Sequence, residues 1–168
     1  MIFVECYPDE VLVRVLGIAR KEITHAHSKG NVYNRVMKKR NCLGMVDEDP
    51  ESSEPSYIKK LQKQWQRNEV VLLLDGASNN SIIVLRPRLE EWVLKAAEEC
   101  KVKIEDFGLP SNAHQLHKTL GSDTDNFKKL VEAMHGIVWC ESVPGEGASF
   151  SLLLPVVSAI PYSQNGNL

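Results

Sequence analysis

Apolar residues fall along the chain in short blocks of strand length, separated by stretches with helical spacing. Positions 1–4 form an apolar run that stops at Glu5. Pro8-Asp9-Glu10 then has the chemistry of a helix start, since proline is tolerated in the first turn and acids are favoured near the positive end of the helix dipole. Val11, Leu12, Val15, Leu16 and Ile18-Ala19 follow with roughly helical spacing. A weaker strand at 23–26, a Lys29-Gly30-Asn31 turn and a short helix through Val32, Val36 and Met37 come next. The run Asn41-Cys42-Leu43-Gly44-Met45-Val46 ends abruptly in Asp47-Glu48-Asp49. The series is β-α-β-α-β, the pattern of a parallel sheet covered by helices.

Beyond the acidic loop the pattern predicts a helix over 57–65 and a buried strand over 69–74. Asp75-Gly76 with Ser78-Asn79-Asn80 is turn chemistry, so 81–85 is expected to return as a strand. Pro87 opens the clearest helix: Leu89, Trp92, Val93, Ala96, Ala97 and Cys100 fall on one face. Trp92 is therefore expected in the core. Helices over 112–120 and 125–134 follow, and two apolar runs around Pro144-Gly145-Glu146-Gly147 predict a C-terminal β-hairpin. The expected fold is α/β, a mainly parallel Rossmann-like sheet flanked by helices, with that hairpin at the end.

A chain of 168 residues has room for one ordinary domain. Its net charge of -2 excludes a generally basic, polyphosphate-coating protein but leaves room for a local basic groove or a metal-mediated phosphate contact. Cys6, Cys42, Cys100 and Cys140 are scattered with no CxxC pair, which argues against zinc and against a disulfide framework. The segment MIFVECYPDE lacks the basic start of a signal peptide. No apolar stretch approaches the roughly 18 residues of a membrane span. A cytoplasmic location without a membrane partner is expected.

Glu5 ends the first strand, so in a parallel sheet it emerges at the same edge as Asp47 and Asp49. Open α/β sheets bind their ligands at that edge. The one-residue gap in Asp47-Glu48-Asp49 lets both aspartates face one ion, and such hard oxygen donors suit Mg²⁺ or Mn²⁺. Glu90, in the first turn after Pro87, is a further acid that can support a second ion or a ligand. Other positions read more plainly. Ser28-Lys29-Gly30-Asn31 reads as a strand-to-helix turn before it reads as a phosphate cradle. His25 and His27 share one face of a strand at an edge or surface, and His114 and His117 lie on a solvated helix face. Lys59, Lys60, Lys63 and Arg67 line a helix beside the acidic loop, as a soluble face or a modest phosphate-steering patch.

The strand ending in Glu5, the intervening β-α unit and the strand ending in Asp47-x-Asp49 resemble the topoisomerase/primase fold known as TOPRIM. Pro87-Arg88-Leu89-Glu90-Glu91-Trp92 is similar to a Pro-x-x-Glu-x-Trp element of small stand-alone TOPRIM-like proteins, related to the overcoming-lysogenisation-defect nucleases. The resemblance spans about residues 1–120. It implies Mg²⁺-dependent phosphodiester chemistry on nucleic acid, with Glu5, Asp47 and Asp49 as metal ligands and Glu90 beside them. The sequence departs from the TOPRIM pattern in lacking a glycine soon after Glu5.

Residues 131–155, from His135-Gly136-Ile137 through Leu154-Pro155, resemble the end of a histidine-kinase ATPase domain, although the asparagine helix and the Asp-x-Gly-x-Gly segment of such ATPases are absent upstream. Two units are expected: a TOPRIM-like α/β domain over 1–120, and a helix, hairpin and tail over 121–168 packed on it. The leading expectation is a TOPRIM-type nuclease. The alternative is a non-catalytic TOPRIM-like binding or regulatory module with a protein partner in a defence or toxin-related assembly. An ATP-binding signalling fragment is a third reading, resting on the tail. The choice of DNA or RNA and the oligomeric state are not encoded in any of these patterns.

Overall fold

The computed structural model describes residues 1–52, 55–134, 137–143 and 147–153 of the chain, with 137–143 and 147–153 described at the level of the backbone. Six strands form one mixed sheet, with helices on both faces. The first strand, β1 (Ile2–Val4), leads into α1 (Tyr7–Val15), and β2 (Ile23–His25) leads into α2 (Lys29–Met37). Next comes β3 (Leu43–Asp47), then β4 (Gln62–Arg67), β5 (Val70–Asp75) and β6 (Asn80–Leu85). The helices α3 (Leu89–Glu99), α4 (Ala113–Leu120) and α5 (Thr124–Ala133) follow. The sheet order is β2-β1-β3-β6-β5-β4.

The β1-α1-β2-α2-β3 unit appears where the apolar pattern placed it, and β1 pairs in parallel with both β2 and β3. β6 extends this parallel block, with Leu43 opposite Ser81 and Asp47 opposite Leu85. The remaining two pairings, β6 with β5 and β5 with β4, are antiparallel. The sheet is thus mixed: three of its five pairings, the β2-β1-β3-β6 block, are parallel, and the two at the β4 edge are antiparallel. The β5–β6 pair is the expected return across the Asp75–Asn80 turn, and the departure from expectation lies at 57–65, which forms no α-helix. A single 3₁₀ turn at Ile58–Lys60 gives way to β4, whose six residues are all exposed. With no apolar face, β4 is held by its backbone ladder to β5, so hydrophobic spacing carried no sign of it. The Lys29-Gly30-Asn31 segment is likewise the first turn of α2, capped by Ser28 Oγ, which accepts the Asn31 N–H at 3.3 Å.

Strand alternation divides the core in two. Ile2, Val4, Leu43, Met45 and Leu85 face one side, where α1, α3, α4 and α5 bring Leu12, Val93, Leu116, Leu120, Phe127 and Leu130. Phe3, Val46, Ile82 and Val84 face the other, against Val32, Tyr33 and Val36 of α2 and against Tyr57. Trp92 is buried in the first core, and its indole N–H donates to the Asn68 carbonyl at 3.2 Å. Asp75 closes the β5–β6 turn by accepting the Ala77 N–H at 3.0 Å, the Ser78 hydroxyl at 2.7 Å and the Tyr57 hydroxyl at 2.9 Å. Asn80 is fully buried and fully bonded: it accepts the Cys42 N–H and donates to the carbonyls of Val36 and Lys39, tying β6 to the end of α2 and the start of β3.

Two last strands, β7 (Ile137–Val143) and β8 (Gly147–Leu153), pair antiparallel from Ile137 opposite Leu153 to Val143 opposite Gly147. The expected turn at Pro144-Gly145-Glu146 and the tail from 154 on lie outside the described residues. Among the described residues no helix is long and apolar enough to cross a membrane.

Candidate functional site

Because β1, β2, β3 and β6 run in parallel, their carboxyl ends and the N-terminal ends of α1, α2 and α3 share one edge of the sheet. A cleft of about 630 Å³ opens there, and Glu5, Asp47, Asp49 and Glu90 all line it, together with Lys29, Arg88, His114 and His117. All four acids named from the sequence therefore meet in one place.

Glu5 and Asp47 are directly linked across 42 residues: the Asp47 N–H donates to Glu5 Oε1 at 3.0 Å. Asp9 holds Glu5 from behind. It is buried in the first turn of α1 and its Oδ2 accepts the N–H groups of Glu5 and Cys6, each at 3.0 Å. Asp9 is thus the reaching-back half of a capping box opened by Cys6, a signal present in the sequence as Cys6-x-x-Asp9. Asp47 in turn caps α3, its Oδ1 accepting the Leu89 N–H at 3.0 Å.

Asp49 takes a different direction. Its φ is +43°, in the left-handed region, and its Oδ1 accepts from Arg88 Nε at 3.3 Å and Nη2 at 3.2 Å. Lys29, at the start of α2, donates to the Glu48 carbonyl and to Ser52 Oγ. Glu90 is 5% exposed, and its Oε1 lies 2.8 Å from His117 Nδ1 on α4. The His117 side chain is 75% exposed, as a solvated helix face would have it, yet it lines the cleft and holds a buried acid. This pairing is the part of the site that sequence reasoning missed.

Burial, reinforced by neighbouring acids, raises the proton affinity of Asp47, Asp9 and Glu5. Asp47 is pushed up to about 8, first by burial and then by the charges of Asp9, Glu5 and Glu90, while the Leu89 N–H pulls the other way. Burial raises Asp9 to about 7, with the Glu5 charge adding to it. Glu5 is also raised by burial, against the opposing pull of the Asp47 N–H and Lys29. Oxygen donors in a site short of positive charge fit a small hard cation in type and in charge. As the side chains stand, no group of three or more His, Cys, Asp and Glu among the described residues is arranged to hold a metal ion.

The other expected positions divide. Lys63 and Arg67 stand on the edge strand β4 instead of a helix beside the acidic loop, and the lysine and arginine that do line the cleft are Lys29 and Arg88. His25 ends β2, an edge strand, while His27 follows it at a φ of +69° and so does not share a strand face with it. His25 Nε2 lies 2.6 Å from buried Glu10, which also meets Arg20 at 2.7 Å, an ion-pair cluster joining α1 to the edge of the sheet. Set against known families, characterised proteins and solved structures, the chain matches no family model, no curated protein and no solved structure.

Proposed function

We propose that the protein carries out Mg²⁺- or Mn²⁺-dependent phosphodiester chemistry on nucleic acid, as a nuclease of TOPRIM type. One observation carries this reading: Glu5 and Asp47, named from sequence as the ends of separate parallel strands, touch at one sheet edge in a cleft that also holds Asp49 and Glu90. A bound divalent ion would neutralise phosphate charge, polarise a phosphoryl oxygen and make a water more acidic. Glu5 and Asp47 would hold it, with Asp49 joining them when Arg88 is drawn to a phosphate. Lys29 and Arg88 supply positive charge where the nucleic-acid backbone enters, and Asp9 keeps Glu5 in place through its N–H.

The experiment is hydrolysis of a panel of DNA and RNA oligonucleotides, single- and double-stranded. Cleavage is expected with Mg²⁺ or Mn²⁺, to stop with chelator, and to vanish in Asp47→Ala and Glu5→Gln prepared in the same way. Cleavage that persists in both variants would place the chemistry elsewhere. A second reading, a non-catalytic binding or regulatory module, draws on the Asp49–Arg88 pairing, which already occupies one of the expected metal-binding carboxylates. Retention of an oligonucleotide without cleavage, unaffected by Asp47→Ala, would favour it.

A further inference from the structure

The Glu90–His117 pair joins a buried carboxylate to an exposed imidazole at the wall of the cleft. A carboxylate only accepts hydrogen bonds, so the 2.8 Å contact places a proton on His117 Nδ1 and orients the ring. The ring's other nitrogen, Nε2, has no protein partner among the described residues, and the side chain is 75% exposed at the cleft. The acid behind it is the reverse, 5% exposed and anchored in the first turn of α3. A buried carboxylate that orients an accessible imidazole is the recurring arrangement of an acid–base histidine. Glu90 is also close enough to Asp47 to raise its proton affinity, so the histidine stands beside the acidic strand ends.

From this geometry we infer that His117, oriented by Glu90, donates the proton that the leaving oxygen needs when a phosphodiester is hydrolysed in the cleft. The inference rests on the phosphodiester reading above and adds a residue to it. In-line displacement separates the attacking and departing oxygens to opposite sides of phosphorus, so one group cannot serve both. Glu5 and Asp47 come from strand ends, whereas His117 comes from α4, a different wall of the cleft. In the step, the water oxygen–phosphorus bond forms and the phosphorus–oxygen bond to the leaving sugar breaks. The leaving oxygen takes the proton from imidazolium Nε2, and the proton lost by the attacking water restores the imidazolium through solvent.

The test uses the full chain with Mn²⁺ and an oligonucleotide of one sequence, prepared as DNA and as RNA, each in three forms: unmodified, and with a single bridging sulfur at the 3′ or the 5′ position. Sulfur leaves without needing a proton. His117→Ala and His117→Gln are expected to slow cleavage of the unmodified strand about 100-fold or more, the usual range for a general acid. Both variants should cleave one of the sulfur-bridged strands at close to the rate of the unsubstituted protein, because the general-acid contribution is not needed there. Equal losses on oxygen and sulfur, or no loss on either, would overturn the inference while leaving the metal-dependent reading intact. No cleavage of any strand by the unsubstituted protein would remove both. A second readout needs no activity: ¹⁵N imidazole spectra of the metal-free protein should show neutral His117 as the Nδ1–H tautomer, reverting towards Nε2–H in Glu90→Ala. An Nε2–H tautomer in the unsubstituted protein would also overturn the inference.

Discussion

Asp47 sits at the end of β3 with its Oδ1 on the Leu89 N–H and three other acids close by, and its proton is held up to about pH 8. In the unfolded chain the same group titrates near 3.8. Between those values the folded state binds a proton that the unfolded state has lost, so this contribution to stability is complete below about 4 and disappears as pH rises through about 8. Asp9, raised to about 7, acts with the same sign. Chemical denaturation of the metal-free protein at stepped pH is therefore expected to show stability falling from about pH 5 to pH 8, with a smaller fall in Asp47→Asn. A rise over that range would contradict the assignment. Asn80 makes a different kind of demand. Its amide serves one N–H and two carbonyls in the buried joint between α2, β3 and β6. Asn80→Ala strands these groups, and about 2–4 kcal/mol of stability should be lost, read as a lower urea midpoint at unchanged slope.

Between elements, α2 packs closely on β3 at Gly44. A Cβ there would come within 2.7 Å of Ile82 Cδ1 and 2.8 Å of Val32 Cγ1, with Val36 Cγ2 at 3.1 Å. Two of these neighbours are valines on a helix, stiff at χ1, so α2 itself must move to admit a methyl group. Gly44→Ala is expected to cost about 1–3 kcal/mol, seen by calorimetry as a lower Tm. The sequence showed Gly44 inside an apolar run but not that a helix crosses it so closely. What could be read were elements whose burial is local and periodic: β1, α1, β3 and α3 stand where their apolar spacing put them. The edge strand β4 could not, because its all-exposed residues carry no hydrophobic period and its partner is supplied by the fold. The same reason hid His117. It lies 27 residues beyond Glu90 on a polar helix, and the packing of α4 against α3 brings them together.

At the scale of the whole molecule, parallel strand order delivers Glu5 and Asp47 to one edge, and that much was legible from Glu5 and Asp47 as strand ends. The direction of Asp49 was not, since it depends on a left-handed backbone turn and on Arg88, which follows the neighbouring strand β6. Helix N-termini and Lys29 offset the gathered negative charge in part, yet Asp47 still retains a proton to about pH 8. A divalent cation and that proton compete for the same oxygens. Under the proposed function, Mg²⁺ or Mn²⁺ binds the folded chain selectively and adds stability as its concentration exceeds the dissociation constant, roughly 2.7 kcal/mol at a hundredfold excess. For a chain of 168 residues that corresponds to a rise in Tm of about 5–10 °C. The competition gives the rise a pH dependence: it should be larger at pH 8, where Asp47 gives up its proton readily, than at pH 6, where the ion must displace it. Asp47→Asn should shrink the rise and flatten its pH dependence together. A rise that is equal at both pH values and unchanged in the variant would mean that the ion binds away from the Glu5–Asp47 edge.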